Sequence, residues 1–305
     1  MYGSPRPIRG PLRLVDIMCV RPCIYWDDPL MTALSVMAGR SRRSPYRVVV
    51  VDASRRVRGV LTGRRVLEVI LGKRGTSLME SRGVGRVLRE NVGIFIDEPR
   101  HVFTPHMPPQ AVVQYMAENR VGYAIVVDDN WVLQGMVDEA TVLSRLQGGV
   151  FGVPVREVMT SKVYHISPRS SLMEAAHMMT DLRVRRLPVV SDGEVKGMIT
   201  VTDLLNHLLV KEKHVEMLLY DVGAEELLKE SVDEVMSRDV LSVSPDDDVG
   251  RAIDLMMERD VSGLPVTTGG GALVGLVSRI DVLAGLASAK GMGAVLDAMV
   301  GRLVE

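Results

Sequence analysis

The chain has 305 residues and a formal net charge of −1; 47% of its residues are hydrophobic, 25% charged and 4% aromatic. That balance describes a globular chain whose core rests on Val, Leu, Ile, Met and Ala, long enough for one large domain or two of about 150 residues. It excludes a disulfide scaffold, since Cys19 and Cys23 are the only cysteines and cannot by themselves complete a four-ligand zinc site, and no apolar run approaches the roughly 20 residues that span a bilayer.

The first residues, Met1 to Arg6, lack the apolar stretch of a secretory signal, so a cytoplasmic protein is expected. Charge is uneven: residues 1–150 carry 21 Lys+Arg against 14 Asp+Glu, and the remainder carries 16 against 24. The six histidines form no ligand-spaced cluster, and no Ser/His/Asp arrangement, paired carboxylates or phosphate-loop lysine is found, so neither a metal nor a catalytic cofactor is expected and the chain reads as a non-enzyme.

In chain order, Leu14-Val15-Asp16-Ile17-Met18 opens a first unit. Leu30, Ala33, Leu34 and Met37 follow at the spacing of one helical face, then the buried-strand run Val48–Val51, then Gly59-Val60-Leu61-Thr62-Gly63-Arg64-Arg65. Gly72 to Arg86 reads as a loop. A second unit has Val102-Phe103-Thr104-Pro105 as its first strand, Val112, Val113 and Met116 on a helix, Tyr123 to Val127 as a strand, and Gly135-Met136-Val137-Asp138-Glu139-Ala140-Thr141 as its close. Gly148 to Pro154 is the expected boundary between halves. The third and fourth units align over their whole length. Val155–Met159 matches Val232–Met236, the expected short strands Val163–Pro168 and Val240–Pro245 follow, and the helical stripes are Leu172, Ala175, Ala176, Met179 and Val249, Ala252, Ile253, Met256. Val184-Arg185-Arg186-Leu187-Pro188-Val189-Val190 then matches Val261-Ser262-Gly263-Leu264-Pro265-Val266. Between these units, Lys211 to Glu230 reads as a connecting helix. Each unit is strand–helix–strand–strand–helix, and each alone has too little apolar area to be secure, so pairing across sheets is expected.

One phrase closes both C-terminal units: Gly197-Met198-Ile199-Thr200-Val201-Thr202-Asp203 and Gly275-Leu276-Val277-Ser278-Arg279-Ile280-Asp281. A glycine leads a short apolar run, then a hydroxyl residue, and an aspartate three positions later opens a helix. A hydroxyl and a carboxylate thus sit at a strand-to-helix turn, where free backbone N–H groups favour an anion. A lone Gly-x-x-Thr-x-x-Asp is more simply an N-cap; its recurrence within full-length repeats points to a ligand site.

These residues resemble CBS domains, named after cystathionine beta-synthase. Four copies cover nearly the whole chain, similar in organisation to the gamma subunit of AMP-activated protein kinase. The resemblance implies an α/β fold of four tandem CBS repeats pairing through their sheets into two Bateman modules. The expected modules are residues 1–150, with repeats at about 12–71 and 84–147, and residues 151–305, with repeats at about 153–210 and 230–288. It implies a non-catalytic regulatory role in which an adenine nucleotide (AMP, ADP or ATP) is the regulatory ligand. By family position, Asp203 and Asp281 accept the ribose hydroxyls, Thr200 and Ser278 reach the phosphate with Thr202 assisting, and Met198, Val184, Leu276 and Val261 line the adenine slot. Arg185 and Arg186 stand near phosphate, with Ser262 and Gly263 in their place in the fourth copy, so the two sites should differ in phosphate preference.

The N-terminal pair departs from that pattern. Arg65 stands at the ribose position, Asp138 at the phosphate hydroxyl and Thr141 at the carboxylate, so adenosine binding there is expected to be weak or absent. Arg47, Arg64 and Arg65 remain candidates for holding a phosphate or another anion. The resemblance further implies a homodimer or disc-like assembly and a regulated protein partner. Two alternatives stay open: an S-adenosylmethionine sensor of the same fold, and nucleic-acid binding by the basic N-terminal half, which the scarcity of stacking aromatics disfavours. No membrane contact is expected.

Overall fold

The computed structural model describes residues 11–38, 45–74, 84–210 and 223–301. The first copy is β1 (Cys23–Tyr25), α1 (Leu30–Met37), β2 (Arg47–Val51), β3 (Val57–Thr62) and α2 (Gly63–Ile70). The second is β4 (Val102–Phe103), α3 (Pro109–Glu118), β5 (Tyr123–Val127), β6 (Leu133–Asp138) and α4 (Glu139–Leu143). The third is α5 (Leu172–Asp181), β7 (Arg186–Ser191), β8 (Glu194–Thr200) and α6 (Val201–Val210). After α7 (Ala224–Leu227) and α8 (Val232–Val235), the fourth is α9 (Val249–Glu258), β9 (Gly263–Thr267), β10 (Leu273–Ser278) and α10 (Arg279–Lys290), followed by α11 (Met292–Met299). The expected helical stripes are the buried faces: Leu30, Ala33, Leu34 and Met37, for example, are at most 1% exposed. The first part of the expected connecting helix, residues 211–222, and most of the loop 72–86 lie outside the described residues.

The four sheets share one plan, a hairpin whose first strand is joined in parallel by the strand that opens the copy. In the first two copies this gives three strands, β1-β2-β3 and β4-β5-β6. In the last two the expected opening strands Val163–Pro168 and Val240–Pro245 shrink to single bridges, Ile166↔Val189 and Val243↔Val266. Proline is the reason. The Ile125 N–H of the second copy donates to the His101 carbonyl at 2.8 Å. The equivalent residues, Pro188 and Pro265, have no N–H, so the ladder cannot extend past Ile166 and Val243. In Pro188→Val the restored amide is expected to exchange slowly with solvent. Global stability should change by less than about 1 kcal/mol, because the added ladder bond is offset by the greater freedom of the unfolded chain. Hydrogen exchange followed at position 188 checks this, and a fast-exchanging amide there would mean that something other than proline truncates the strand.

Two compact units form, each from discontinuous chain. One gathers the described residues up to Val20, His101–Val163 and the chain from Val240; the other gathers Arg21–Arg100 and Tyr164–Asp239. Copies two and four therefore share one core, with Val113, Met116, Leu143, Ile253 and Leu283 at its centre. Copies one and three share the other, around Leu34, Leu67, Met179 and Leu205. Gly148 to Pro154 lies inside the first unit, so no unit boundary falls there. Helices do the joining: α1 and α2 pack on α5 and α6 in one unit, α3 and α4 on α10 in the other. At Gly63 the approach is close, since a Cβ there would lie 3.1 Å from Val201 Cγ1. Fully burying each Leu, Val or Met of such a seam contributes about 1.5–3 kcal/mol.

Candidate functional site

The strand-to-helix junction is built alike in all four copies. The first N–H of the helix is tied to the segment entering the hairpin: Val201 donates to the Arg185 carbonyl at 3.0 Å, Gly63 to Tyr46 at 2.8 Å, and Glu139 and Arg279 to Gly122 and Ser262 at 3.3 Å each. The last strand residue is then the N-cap. In the third copy the Asp203 N–H donates to Thr200 Oγ1 at 3.2 Å, and Asp203 Oδ2 accepts from the Thr200 amide at 2.8 Å and from its hydroxyl at 2.7 Å. Ser278 and Asp281 repeat this box, with the Ser278 amide 2.8 Å from Asp281 Oδ2 and its hydroxyl on the same oxygen. Both carboxylates therefore cap their helices, each through one oxygen.

The second oxygen separates the two copies. Asp203 Oδ1 receives no hydrogen bond among the described residues. Asp281 Oδ1 is ion-paired with Arg120. Burial raises the Asp203 carboxyl above its ordinary value, and the two Thr200 hydrogen bonds offset that only in part.

At the same positions the N-terminal copies hold other chemistry. Thr62 Oγ1 accepts from the Arg65 amide at 3.3 Å, and the Arg65 guanidinium forks onto both oxygens of Asp97. A cation already neutralised by Asp97 thus stands at the position that Asp203 and Asp281 hold in the third and fourth copies. In the second copy Asp138 caps through Thr141, accepting from its amide at 2.8 Å, and Asp138 is 7% exposed. Cys19 Sγ lies 3.7 Å from Asp138 Oδ2.

A wall that the linear reading misplaces comes from the leader preceding each copy. Met236-Ser237, read as the opening of the fourth copy, lies on β8 of the third: Met198 and Ser237 exchange amide hydrogen bonds of 3.0 and 2.9 Å. Met159-Thr160 lies on β10 of the fourth copy through two bonds of 2.9 Å between Thr160 and Leu276. Met18-Cys19 lies on β6 at Met136, and Ile96-Asp97 bridges β3 at Val60. Each leader therefore completes the copy next to its own in sequence: copies one and two exchange leaders, as do copies three and four. This explains the glycine that heads every closing phrase. A Cβ at Gly197 would lie 2.4 Å from Met236 Sδ and 2.9 Å from the Ser237 carbonyl, and one at Gly59 would lie 2.4 Å from the Asp97 carbonyl.

The other expected residues surround these junctions. Met198 is buried and Val184, Leu276, Thr202 and Ser262 are half-buried, whereas Val261 is exposed. Arg186 is 7% exposed and pairs in register with Thr200 across the hairpin, which sets it beside the capping hydroxyl. Gly263 holds that register position opposite Ser278. The Arg185 guanidinium lies 5.0 Å from the centre of the Tyr46 ring, a cation–π contact from the first copy. The buried Arg279 donates to the Met256 carbonyl and to Asp260, both at 3.2 Å, and so belongs to the framework. Sequence reasoning missed Ser237, Thr160, Arg120 and Tyr46. The recurrence of the leader pattern in Leu14–Met18, Val155–Met159 and Val232–Met236 was a signal for the first two; Arg120 and Tyr46 become neighbours of the site only through the helix packing. Among the described residues, no three His, Cys, Asp or Glu side chains converge as a metal site, and no single helix is long and apolar enough to cross a membrane.

Four copies of one plan, a helix, a β-hairpin and a second helix, each with a capped strand-to-helix junction and a borrowed leader, define a tandem-repeat α/β protein. The CBS domain model matches residues 91–148, 155–210 and 232–288, more than half of the chain, and the chain belongs to the CBS domain family. CBS domains are regulatory modules, and this chain is built of them. The first copy falls outside those matches and is placed by its element order. The chain is 32% identical over 268 residues to an uncharacterized 33.4 kDa protein in the ribosomal RNA operon of Thermofilum pendens, covering 87% of this chain and 88% of that one. It is 24% identical over 272 residues to protein MJ1225 of Methanocaldococcus jannaschii, covering 85% and 93%. The crystal structure of MJ1225, a protein suggested to be an archaeal homologue of g-AMPK, matches with a TM-score of 0.80 at 23% identity over 89% of this chain and 99% of that one. An uncharacterized conserved protein from Pyrococcus horikoshii matches with a TM-score of 0.57 at 20% identity, over 90% and 100%. Both structures share the fold.

Proposed function

We propose that the third and fourth copies bind adenine nucleotides (AMP, ADP or ATP), and that occupancy is passed to a partner protein as a shift between pre-existing arrangements of the chain. The observation that carries this reading is the third-copy junction. A half-buried carboxylate there keeps one oxygen without a hydrogen-bond donor among the described residues, beside a capping hydroxyl and with Arg186 in register across the hairpin. An ionised carboxylate accepts from both hydroxyls of a ribose edge, and the hydroxyl, the arginine and the start of α6 suit a phosphate. The coupling to a partner is limited to the ligand's differential affinity for the two arrangements.

Nucleic-acid binding by the basic half is disfavoured because several of its arginines meet acids of the same half. Arg64 and Arg65 each lie 3.5 Å from Glu68, Arg74 and Arg65 face Asp97, and Arg13 faces Asp16. Release of small molecules from freshly purified protein, followed by mass spectrometry, is expected to yield an adenosyl compound. Calorimetric titration with AMP, ADP, ATP and S-adenosylmethionine should then rank the nucleotides first. Tightest binding of S-adenosylmethionine transfers the assignment to that ligand class. No retained compound and no heat with any of the four would remove the proposal.

A further inference from the structure

Arg120 follows α3 of the second copy with φ 51, a left-handed conformation that residues other than Gly seldom adopt unless their surroundings hold them there. The turn belongs to the repeat, since Arg183 and Asp260 occupy the same place with φ 55 and 51. What differs is the group presented. Arg183 offers its carbonyl to Arg64 Nη1 at 2.9 Å, and Asp260 offers its carboxylate to Arg279. Arg120 instead sends its guanidinium to Asp281 Oδ1. The other oxygen of that carboxylate is committed to Ser278. Both oxygens of Asp281 are therefore engaged. The Asp281 side chain is 11% exposed and that of Arg120 is 56% exposed, so a shielded carboxylate is met by a cation reaching it from solvent.

We infer that Arg120 is a resident competitor for the ribose at the fourth-copy site and selects there for ligands carrying a phosphate. The inference rests on the reading of Asp281 as the ribose acceptor. Ribose hydroxyls reach Oδ1 only after the guanidinium leaves it, and exchanging a charge-assisted pair for hydrogen bonds from neutral hydroxyls lowers affinity. A phosphate offsets that loss. Ser278, whose hydroxyl marks the phosphate position, shares the same carboxylate, so a released guanidinium has an anion within reach of its fork. Adenosine offers it none. The fourth copy has Gly263 where the third has Arg186, so Arg120 supplies from the second copy the cation that the fourth lacks.

The test uses the full chain carrying Asp203→Asn, so that titration reports the fourth copy. Adding Arg120→Gln is expected to tighten adenosine binding by about tenfold and to narrow the preference for AMP over adenosine by a similar factor. Arg120→Lys, which keeps the charge without the fork, should fall between and serves if the glutamine variant is unstable. Adenosine affinity unchanged or weakened by Arg120→Gln overturns the competitor role, and an unchanged ratio of AMP to adenosine affinity overturns the selector role. Absence of binding by the unaltered chain with AMP, ADP and ATP overturns the proposed function itself, and that result is read before any change is made at Arg120.

Discussion

Asparagine at position 203 is expected to weaken adenine-nucleotide binding at the third copy by about 100-fold while making the ligand-free protein more stable at neutral pH. The two effects have one origin. The carboxylate is held where burial opposes its charge, and Thr200 relieves that opposition only in part. A ribose supplies what is missing, two hydroxyl donors to a charged acceptor, each worth about 1.5–3 kcal/mol. Asn keeps an oxygen for the Thr200 amide and hydroxyl, so the helix stays capped. It loses the charge and presents an N–H₂ donor toward the sugar, and about 2.7 kcal/mol lost corresponds to a factor of about 100. The stability effect has a definite sign with pH. Because the folded carboxyl titrates above the unfolded value of about 3.9, the folded chain binds more protons in that window, and wild-type stability falls as pH rises through it. Asn has no such loss. The advantage of Asp203→Asn should therefore be small near about pH 4, grow as pH rises through the folded value and then level off. Thermal unfolding across that range, paired with nucleotide titration, reads both halves. A variant less stable than wild type at neutral pH would show that the carboxylate serves the cap more than the ligand. Such opposition between stability and binding is usual at sites built for function.

The fold was legible because four imperfect copies check one another. An apolar stripe that is ambiguous once, such as Val112, Val113 and Met116, becomes a helix when Leu172, Ala175, Ala176 and Met179 repeat it at the same offset. The chemistry of the junctions was legible for the same reason: Arg65 and Asp138 stand out only against Asp203 and Thr200, and the structure finds Arg65 neutralised by Asp97 and Asp138 closed into its own cap. What stayed hidden is spatial. Val155–Met159 and Val232–Met236 carry the pattern of an opening element, and no local preference tells a leader which copy it will cover. The truncated strands follow from Pro188 and Pro265, but the missing bond concerns a partner more than 20 residues away in sequence. The ion pair of Arg120 with Asp281 joins residues separated by 161 positions. Only the packing of α3 on α10 brings those two elements together.

Leader exchange leads to a ranked series of Gly→Ala substitutions at the four phrase-opening glycines. A new Cβ is tolerated when the atom it meets is the free end of a side chain and not when it is backbone. At Gly59 the Cβ would meet the Asp97 carbonyl at 2.4 Å and Ile96 at 2.8 Å. The leader must then leave β3, loosening Asp97 from Arg65, and a loss of about 3 kcal/mol is expected. At Gly197 the carbonyl of Ser237 stands at 2.9 Å behind the Met236 sulfur, and the cost should be about 2 kcal/mol. Gly275 meets mainly the Met159 side chain, with the Thr160 carbonyl at 3.3 Å. Gly135 meets the tip of Met18 at 2.7 Å, with the Cys19 carbonyl at 3.2 Å. Those ends can swing aside, and the reduced freedom of the unfolded chain offsets part of the strain, so the cost should fall to about 1 kcal/mol or less. Gly269→Ala, which meets nothing within 4 Å, is the control. Denaturant unfolding of the five variants gives the order, and exchange at the Met198 and Ser237 amides reports whether the leader has left β8 in Gly197→Ala. Equal losses at Gly59 and Gly135 would mean that backbone flexibility, and not the seating of the leader, governs these positions. The predicted order instead ties stability to the strand face on which the proposed ligand site is built, so Gly197→Ala should also weaken nucleotide binding at the third copy without touching Asp203 or Thr200.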